Sequence, residues 1–131
     1  MSEFRLQIVT PEGKKFDGMA QALHLRSSEG YVSIRAHHAD YVAVLDVGIV
    51  TLTVEGTERK AACGGGFLSV QKGEVHFVAT TFEYAEDIDA VRAKVAKEKA
   101  EARIAAAKEH SEMELAKAKL ARALNRLKLT K

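Results

Sequence analysis

FEYAEDIDAVRAKVAKEKAEARIAAAK, residues 82–108, is where this chain changes texture. Upstream, every glycine from Gly13 to Gly73 and the only proline, Pro11, punctuate short runs rich in β-branched and aromatic residues. From residue 86 onward there is neither Gly nor Pro, and Ala, Lys, Glu and Arg dominate. Gly and Pro interrupt regular elements, so the first part reads as strands and turns and the second as uninterrupted helix. The break predicts two domains, residues 1–85 and 86–131.

Residues 4–9, FRLQIV, alternate apolar with polar and run into Thr10-Pro11-Glu12-Gly13, where a chain reverses. Short runs of the same kind follow at residues 15–16, 21–26, 31–34, 42–45, 49–54, 59–62, 67–70 and 75–80. Turns at Glu29-Gly30, Glu55-Gly56 and Lys72-Gly73 separate several of them, at the spacing of an all-β sandwich or barrel. Phe4, Leu6 and Ile8 share one strand face, as do Val50, Leu52 and Val54; with Phe67, Val75, Phe77 and Ala79 they are the expected core. Gly64-Gly65-Gly66 has the glycine density of a phosphate cradle. It lies between two β-like runs, however, and no Lys-Ser/Thr follows, which favours a bulge or a close backbone approach.

After Tyr84 the spacing becomes helical: Ile88, Val91 and Val95 mark one face, continuing through Ala102 and Ile104 to about Lys108, with Glu86, Asp87 and Asp89 in the first turn. A helix of about 22 residues extends roughly 33 Å. A second helix is expected from about Ser111, opened by a Ser-x-x-Glu pattern (Ser111, Glu114) and faced by Met113, Ala116, Leu120, Leu124 and Leu127. The short His110-Ser111 link makes the pair an antiparallel hairpin. Alanine dominates residues 100–107, so the helices can approach closely but gain little, at about 0.8 kcal/mol per buried CH2. Such a hairpin is expected to be marginal and able to open.

The remaining features mostly exclude functions. A single cysteine, Cys63, forms no internal disulfide and no metal-binding pair, which fits a reducing compartment. The opening MSEFRLQIV lacks the pattern of a signal peptide, and no stretch approaches the ~20 apolar residues of a membrane span. Net charge is +2, yet residues 1–85 carry 8 Lys/Arg against 10 Asp/Glu while residues 86–131 carry 12 against 8. The basic tail has no aromatic after Tyr84, which argues against nucleic acid and leaves an acidic protein surface or a nucleotide. His37-His38 with Asp40 has metal-ligand residue types, but adjacent histidines on extended backbone point to opposite sides. No nucleophile, base and orienter pattern is present, so no enzyme is expected and no cofactor is required. Arg92 on the first helix and Arg122 and Arg126, one turn apart on the second, would converge on an anionic small molecule when the hairpin folds. The alternative is that Asp89 with Arg92, and Glu98 with Lys94 and Lys97, are solvated helix pairs.

Several segments in order resemble the ε subunit of rotary F-type ATP synthases, bacterial or chloroplast. They are Ile8-Val9-Thr10-Pro11-Glu12-Gly13, Val47-Gly48, Gly65-Gly66-Phe67-Leu68-Ser69-Val70, Ala85-Glu86-Asp87-Ile88-Asp89 and Arg122-Ala123-Leu124-Asn125-Arg126-Leu127. The resemblance implies a β + α fold, an N-terminal β-sandwich followed by a C-terminal antiparallel two-helix hairpin. It implies a non-catalytic central-stalk subunit of a proton- or sodium-translocating synthase, bound to the γ subunit and to the c subunits of the membrane rotor ring. In the family the hairpin can extend to meet the β subunit and restrain ATP hydrolysis; Lys94, Arg103, Lys108, Lys117, Lys119, Arg122 and Arg126 are the candidate docking cations. The implied place is peripheral, on the cytoplasmic face of the bacterial plasma membrane or the stromal face of the thylakoid.

The resemblance also implies ATP as a regulatory ligand of the folded hairpin. Ile88-Asp89-Ala90-Val91-Arg92-Ala93 matches the family's Ile/Leu-Asp-x-x-Arg-Ala motif, and Glu83, Arg122 and Arg126 match further positions of that site. Lys99 stands where the ATP-binding pattern has Arg and lacks its planar fork, so weaker binding is expected. Ala36-His37-His38-Ala39 replaces the family's Pro-Gly-His-x-Pro loop, and Arg35 occupies a usually apolar position that would here face solvent or a neighbour. The competing functional reading is a free-standing nucleotide-sensing module.

Overall fold

The computed structural model describes residues 2–130. Eight strands run β1 (Phe4–Thr10), β2 (Gly13–Ala20), β3 (Ala22–Ser27), β4 (Gly30–Arg35), β5 (Tyr41–Val54), β6 (Thr57–Gln71), β7 (Glu74–Ala79) and β8 (Phe82–Tyr84). A 3-10 turn (Ala85–Asp87) then leads to helices α1 (Ala90–Ala106) and α2 (His110–Lys128). The strands form one hydrogen-bonded sheet in the order β2-β1-β7-β6-β5-β3-β4, with β8 added to β6. Residues from both ends of that order, Leu6 and Ile8 on β1, Leu23 and Leu25 on β3 and Ile34 on β4, belong to one buried cluster. The sheet therefore closes on itself as a β-sandwich, the expected class.

Closure depends on the β5–β6 ribbon, whose strands are 14 and 15 residues long. The sequence reading divides each into two runs, at Gly48 and at Gly64-Gly65-Gly66; the structure joins them into continuous strands. Pairing is in register on both sides of the junction, from Tyr41 with Val70 to Leu45 with Gly66, and from Val47 with Gly64 to Val54 with Thr57. Which residues face inward reverses there. Leu45 is buried before the junction and Val50 and Leu52 after it, while on β6 Ala61 and Cys63 give way to Leu68 and Val70. Here the expected core needs a correction. Phe67 has the parity of Cys63, lies beyond the reversal and is 48% exposed, and Leu68 takes the buried place. Phe4, Leu6, Ile8, Val50, Leu52, Val75, Phe77 and Ala79 are buried as expected. Val54 packs at the core's edge.

The glycine run is a close backbone approach. A Cβ on Gly66, at φ +144°, would lie 2.0 Å from the Val78 carbonyl oxygen, and one on Gly64 would meet Thr81 and Arg122. Thr80 and Thr81 cross at this point from β7 to β8: Thr80 N–H donates to Gly65 O and Gly64 N–H donates to Thr81 O, both at 2.9 Å. The short strand β8, absent from the sequence reading, is held by an edge-to-face series of Phe77, Phe82 and Tyr84 with centroids 5.8 and 5.1 Å apart. At the loop after β4, His37 takes a positive φ of 64° and Arg35 is exposed beside buried Ile34.

The hairpin is present, with differences of detail: α1 has 17 residues and ends at Ala106, not near Lys108, and Leu124, expected on the packed face of the second helix, is 40% exposed. Asp89 is the N-cap of α1, its Oδ1 accepting from Arg92 N–H at 3.1 Å, so Glu86 and Asp87 precede the helix. The second helix begins at His110, not Ser111, and its N-cap Glu109 makes no side-chain bond, so the Ser111/Glu114 box does not form. Val91 and Val95 face solvent, at 74% and 42% exposure. The buried seam consists of Ala93 and Ala100 on α1 and Ala116 and Ala123 on α2, because the bulkier β-branched side chains would hold the helix axes apart.

Replacing Gly66 with Ala forces both an unfavourable φ and a backbone overlap, and is expected to lower unfolding free energy by about 3 kcal/mol. Gly18→Ala, whose Cβ would make only ordinary contact with Phe16, is expected to stay within about 1 kcal/mol of the parent in urea unfolding; equal stability of the two variants would contradict the close approach.

Candidate functional site

Strand β8 delivers the chain to the helices, and its exit is clamped from both sides. Tyr84 is nearly buried, and its hydroxyl donates to the Lys15 carbonyl at 3.1 Å. The Arg59 guanidinium lies 3.7 Å above the Tyr84 ring and pairs with Glu86 in the 3-10 turn, Nε at 3.1 Å from Oε1. Desolvation pushes the Tyr84 phenol up, and the Arg59 hydrogen bond holds the Glu86 carboxyl below its ordinary 4.5. A lowered folded value contributes stability above the unfolded value and loses it as pH falls through the folded one; the Arg59–Glu86 pair is therefore kept at neutral pH and lost only in acid below 4.5, while the Tyr84 contacts do not depend on it.

Beside this exit, between the sandwich and the hairpin, lies an open cavity of about 470 Å³. Of the residues expected to bind ATP, Glu83, Ile88, Asp89, Arg92, Ala93 and Arg126 line it. Each is placed by a local rule. Asp89 caps α1, Ala93 is buried where α2 passes, and Arg92 follows the cap with its side chain at the cavity. Arg126 Nε donates to Glu83 Oε1 at 2.5 Å, joining α2 to β8. Lys99 and Arg122 are not brought in. Lys99 is exposed along α1, and Arg122 borders an adjoining crevice over Gly64 that shares Thr81 and Arg126 with the cavity. Sequence reasoning missed the sandwich side of the lining, Thr10, Glu12, Lys15, Thr80, Thr81 and Phe82, together with Asp87. The reversal at Thr10-Pro11-Glu12-Gly13 was legible, but nothing in its residues says that it abuts a helix.

Lys15, Arg92 and Arg126 share this lining with Glu12, Glu83, Asp87 and Asp89. The lining is mixed in sign: guanidinium and ammonium groups suit phosphate oxygens, and the carboxylates suit an amino group or a phosphate-bound cation. Among the expected docking cations, Lys94, Arg103, Lys108 and Lys117 are exposed and Lys119 is half-buried. Lys94 and Arg103 are nine residues apart, which at 3.6 residues per turn puts them on opposite sides of α1. In the compact form the basic residues therefore make no single face.

What holds the hairpin down is small. Of the two helices, α2 packs on β5 and β6 while α1 packs chiefly on α2. At the contact, the buried Asn125 amide donates to Gly48 O at 2.8 Å and to Cys63 O at 3.4 Å, bridging the two long strands where they change face. Cys63 lies under this contact, its thiol pushed up to about 11 by burial, which makes it inert as a nucleophile. On the outer face of the sheet, Val44, Phe67, Val78 and Val9 stand in one cross-strand row over β5, β6, β7 and β1. Val42, Val44 and Phe67 are 70%, 64% and 48% exposed, a contiguous apolar strip with no partner among the described residues.

Two family models cover nearly the whole chain. "ATP synthase, Delta/Epsilon chain, beta-sandwich domain" matches residues 3–85, and "ATP synthase, Delta/Epsilon chain, long alpha-helix domain" matches residues 86–131. The chain is 36% identical over 129 residues to the ATP synthase epsilon chain of Caldicellulosiruptor bescii, covering 98% of itself and 94% of that protein. It is 35% identical over 130 residues to the ATP synthase epsilon chain of Ruminiclostridium cellulolyticum, covering 99% and 97%. Its fold is similar to a chain in the Euglena gracilis mitochondrial ATP synthase (OSCP/F1/c-ring), with TM-score 0.80 and 21% identity over 95% of this chain and 79% of that one. A chain of the Tetrahymena thermophila mitochondrial ATP synthase central stalk and c-ring gives TM-score 0.64 and 14% identity over 99% and 98%.

Asn125→Leu would leave two carbonyls without their donor in a buried place, so docking of the hairpin is expected to weaken by about 1–3 kcal/mol. Urea unfolding should then show helical ellipticity lost before the strand signal; a single transition at the parent's midpoint would contradict the role given to Asn125.

Proposed function

The chain belongs to the ATP synthase delta/epsilon family as a non-catalytic, epsilon-type subunit, and from there we propose that it works in the central stalk as both a coupling piece and a brake. The sandwich docks on the γ subunit through its apolar strip of Val42, Val44 and Phe67, and the edge carrying Ala36-His37-His38-Ala39 turns toward the c subunits of the rotor ring. The apolar strip supports this reading because its contiguous area is costly to leave in water and is crossed by rigid strands. No helix among the described residues is long and apolar enough to cross a membrane, and the proposed attachment to the membrane complex is peripheral, through these partners.

The observation that carries the braking role is the thin seat of the hairpin: an alanine seam, one buried amide and the Glu83–Arg126 pair. An element held by so few contacts can leave as a unit. Once extended, Lys94, Arg103, Lys108, Lys117 and Lys119 meet an acidic surface on the β subunit and ATP hydrolysis slows. ATP in the interdomain cavity opposes this by favouring the closed form, with about 2.7 kcal/mol gained when ligand stands at 100 times its dissociation constant.

Adding the full chain to a catalytic head and stalk complex that lacks its own epsilon subunit is expected to slow ATP hydrolysis, while a chain ending at residue 85 binds without slowing it. Equal inhibition by both forms would remove the brake from the hairpin. In parallel, saturating ATP is expected to raise the thermal midpoint of the helical signal, and no shift would remove ATP from the account.

A further inference from the structure

The β1–β2 pairing contains one irregularity. Ile8 pairs with Phe16 but Val9 pairs with Lys14, which leaves Lys15 as an extra, unpaired residue in β2. This is a β-bulge, a device that re-aims one side chain out of the regular alternation. Two observations show what the bulge accomplishes here. The Lys15 carbonyl accepts from the Tyr84 hydroxyl and is thereby fixed to the chain segment that leads into the helices. Its side chain lines the interdomain cavity and is 32% exposed, against 59% for neighbouring Lys14, which stays on the surface and pairs with Asp17.

The charge balance of the cavity gives this placement a purpose. Arg126 is engaged by Glu83, and without Lys15 only Arg92 and Arg126 would share the lining with four carboxylates. Lys99 and Arg122, expected to add positive charge, lie outside the lining. Lys15 is itself only loosely held, its Nζ 3.9 Å from a Glu12 side chain that is 86% exposed and solvated. A compact ammonium on a flexible stem, fixed at its backbone and free at its tip, can follow a phosphate chain.

We propose that Lys15 is a phosphate-binding cation supplied by the sandwich to the interdomain cavity, so that a bound nucleoside triphosphate bridges β2 to α1 and α2 and fastens the hairpin to the sandwich. This rests on reading the cavity as the ATP site. It deepens that reading by making the sandwich a ligand-contacting part and not only a platform for the helices.

The test is calorimetric titration of the full chain and its variants with ATP and with AMP. Lys15→Gln is expected to weaken ATP binding about tenfold, the size of one lost charge-assisted contact, with a much smaller effect on AMP. Lys15→Arg should restore most of the ATP affinity, and Lys14→Gln should bind as the parent does. If Lys15→Gln binds ATP like the parent while Arg92→Ala loses affinity, the cavity is the ATP site and Lys15 has no part in it. If Lys15→Gln weakens ATP and AMP equally and lowers the melting temperature without ligand, its role is structural and the proposal fails. If the parent chain binds no ATP, the reading of the cavity fails and this inference with it.

Discussion

Backbone meets backbone at Gly66, where the Val78 carbonyl occupies the space a side chain would need. That contact lets β6 swing past β7 while β5 keeps register with it, and the inward parity of both long strands reverses at the same place. The crossing residues Thr80 and Thr81 satisfy peptide groups of Gly64 and Gly65. The same corner seats α2, since Gly64 makes room for Arg122 and the carbonyls of Gly48 and Cys63 accept from Asn125. Sandwich closure and hairpin attachment thus share one small region of the backbone.

The two domains are stabilised on different scales. The sandwich buries Leu, Ile, Val and Phe side chains, each contributing about 1.5–3 kcal/mol on leaving water. The hairpin buries mainly alanine methyls, each nearer 0.8 kcal/mol, against a backbone ordering cost of about 1–2 kcal/mol per residue. Helices of 17 and 19 residues depend on packing for much of their stability, so once the hairpin leaves the sandwich their backbone bonds open more readily than those of the strands. Tyr84, bonded to Lys15, and the Arg59–Glu86 pair tie the chain to the sandwich as far as the 3-10 turn, immediately before α1.

Much of this was legible from residue types alone. Alternation identified Phe4, Leu6, Ile8, Val50, Leu52, Val75 and Phe77 as core because strand period and burial agree along uninterrupted runs. It failed at Phe67, where the reversal at the glycines cannot be counted from sequence, and at Val91 and Val95, where hydrophobicity pointed to the wrong face of α1. The alanines buried instead were visible as a composition, but not as a seam. For the site, the Asp89–Arg92 spacing is local and was readable, whereas Lys15 enters the cavity through a bulge and a contact with Tyr84, 69 positions away. Lys99 and Arg122 carried the right charge and still fall outside, since closeness along a helix does not fix which neighbour a side chain meets.

The central claim is that the hairpin is a separately openable unit on a firm sandwich, and native-state hydrogen exchange reads it most directly. The account predicts that amides of α1 and α2 exchange through openings well below the free energy of global unfolding, while those of β5, β6 and β7 exchange only with it. Helix amides as protected as the strand core would show that the hairpin and sandwich unfold together, and would contradict the account.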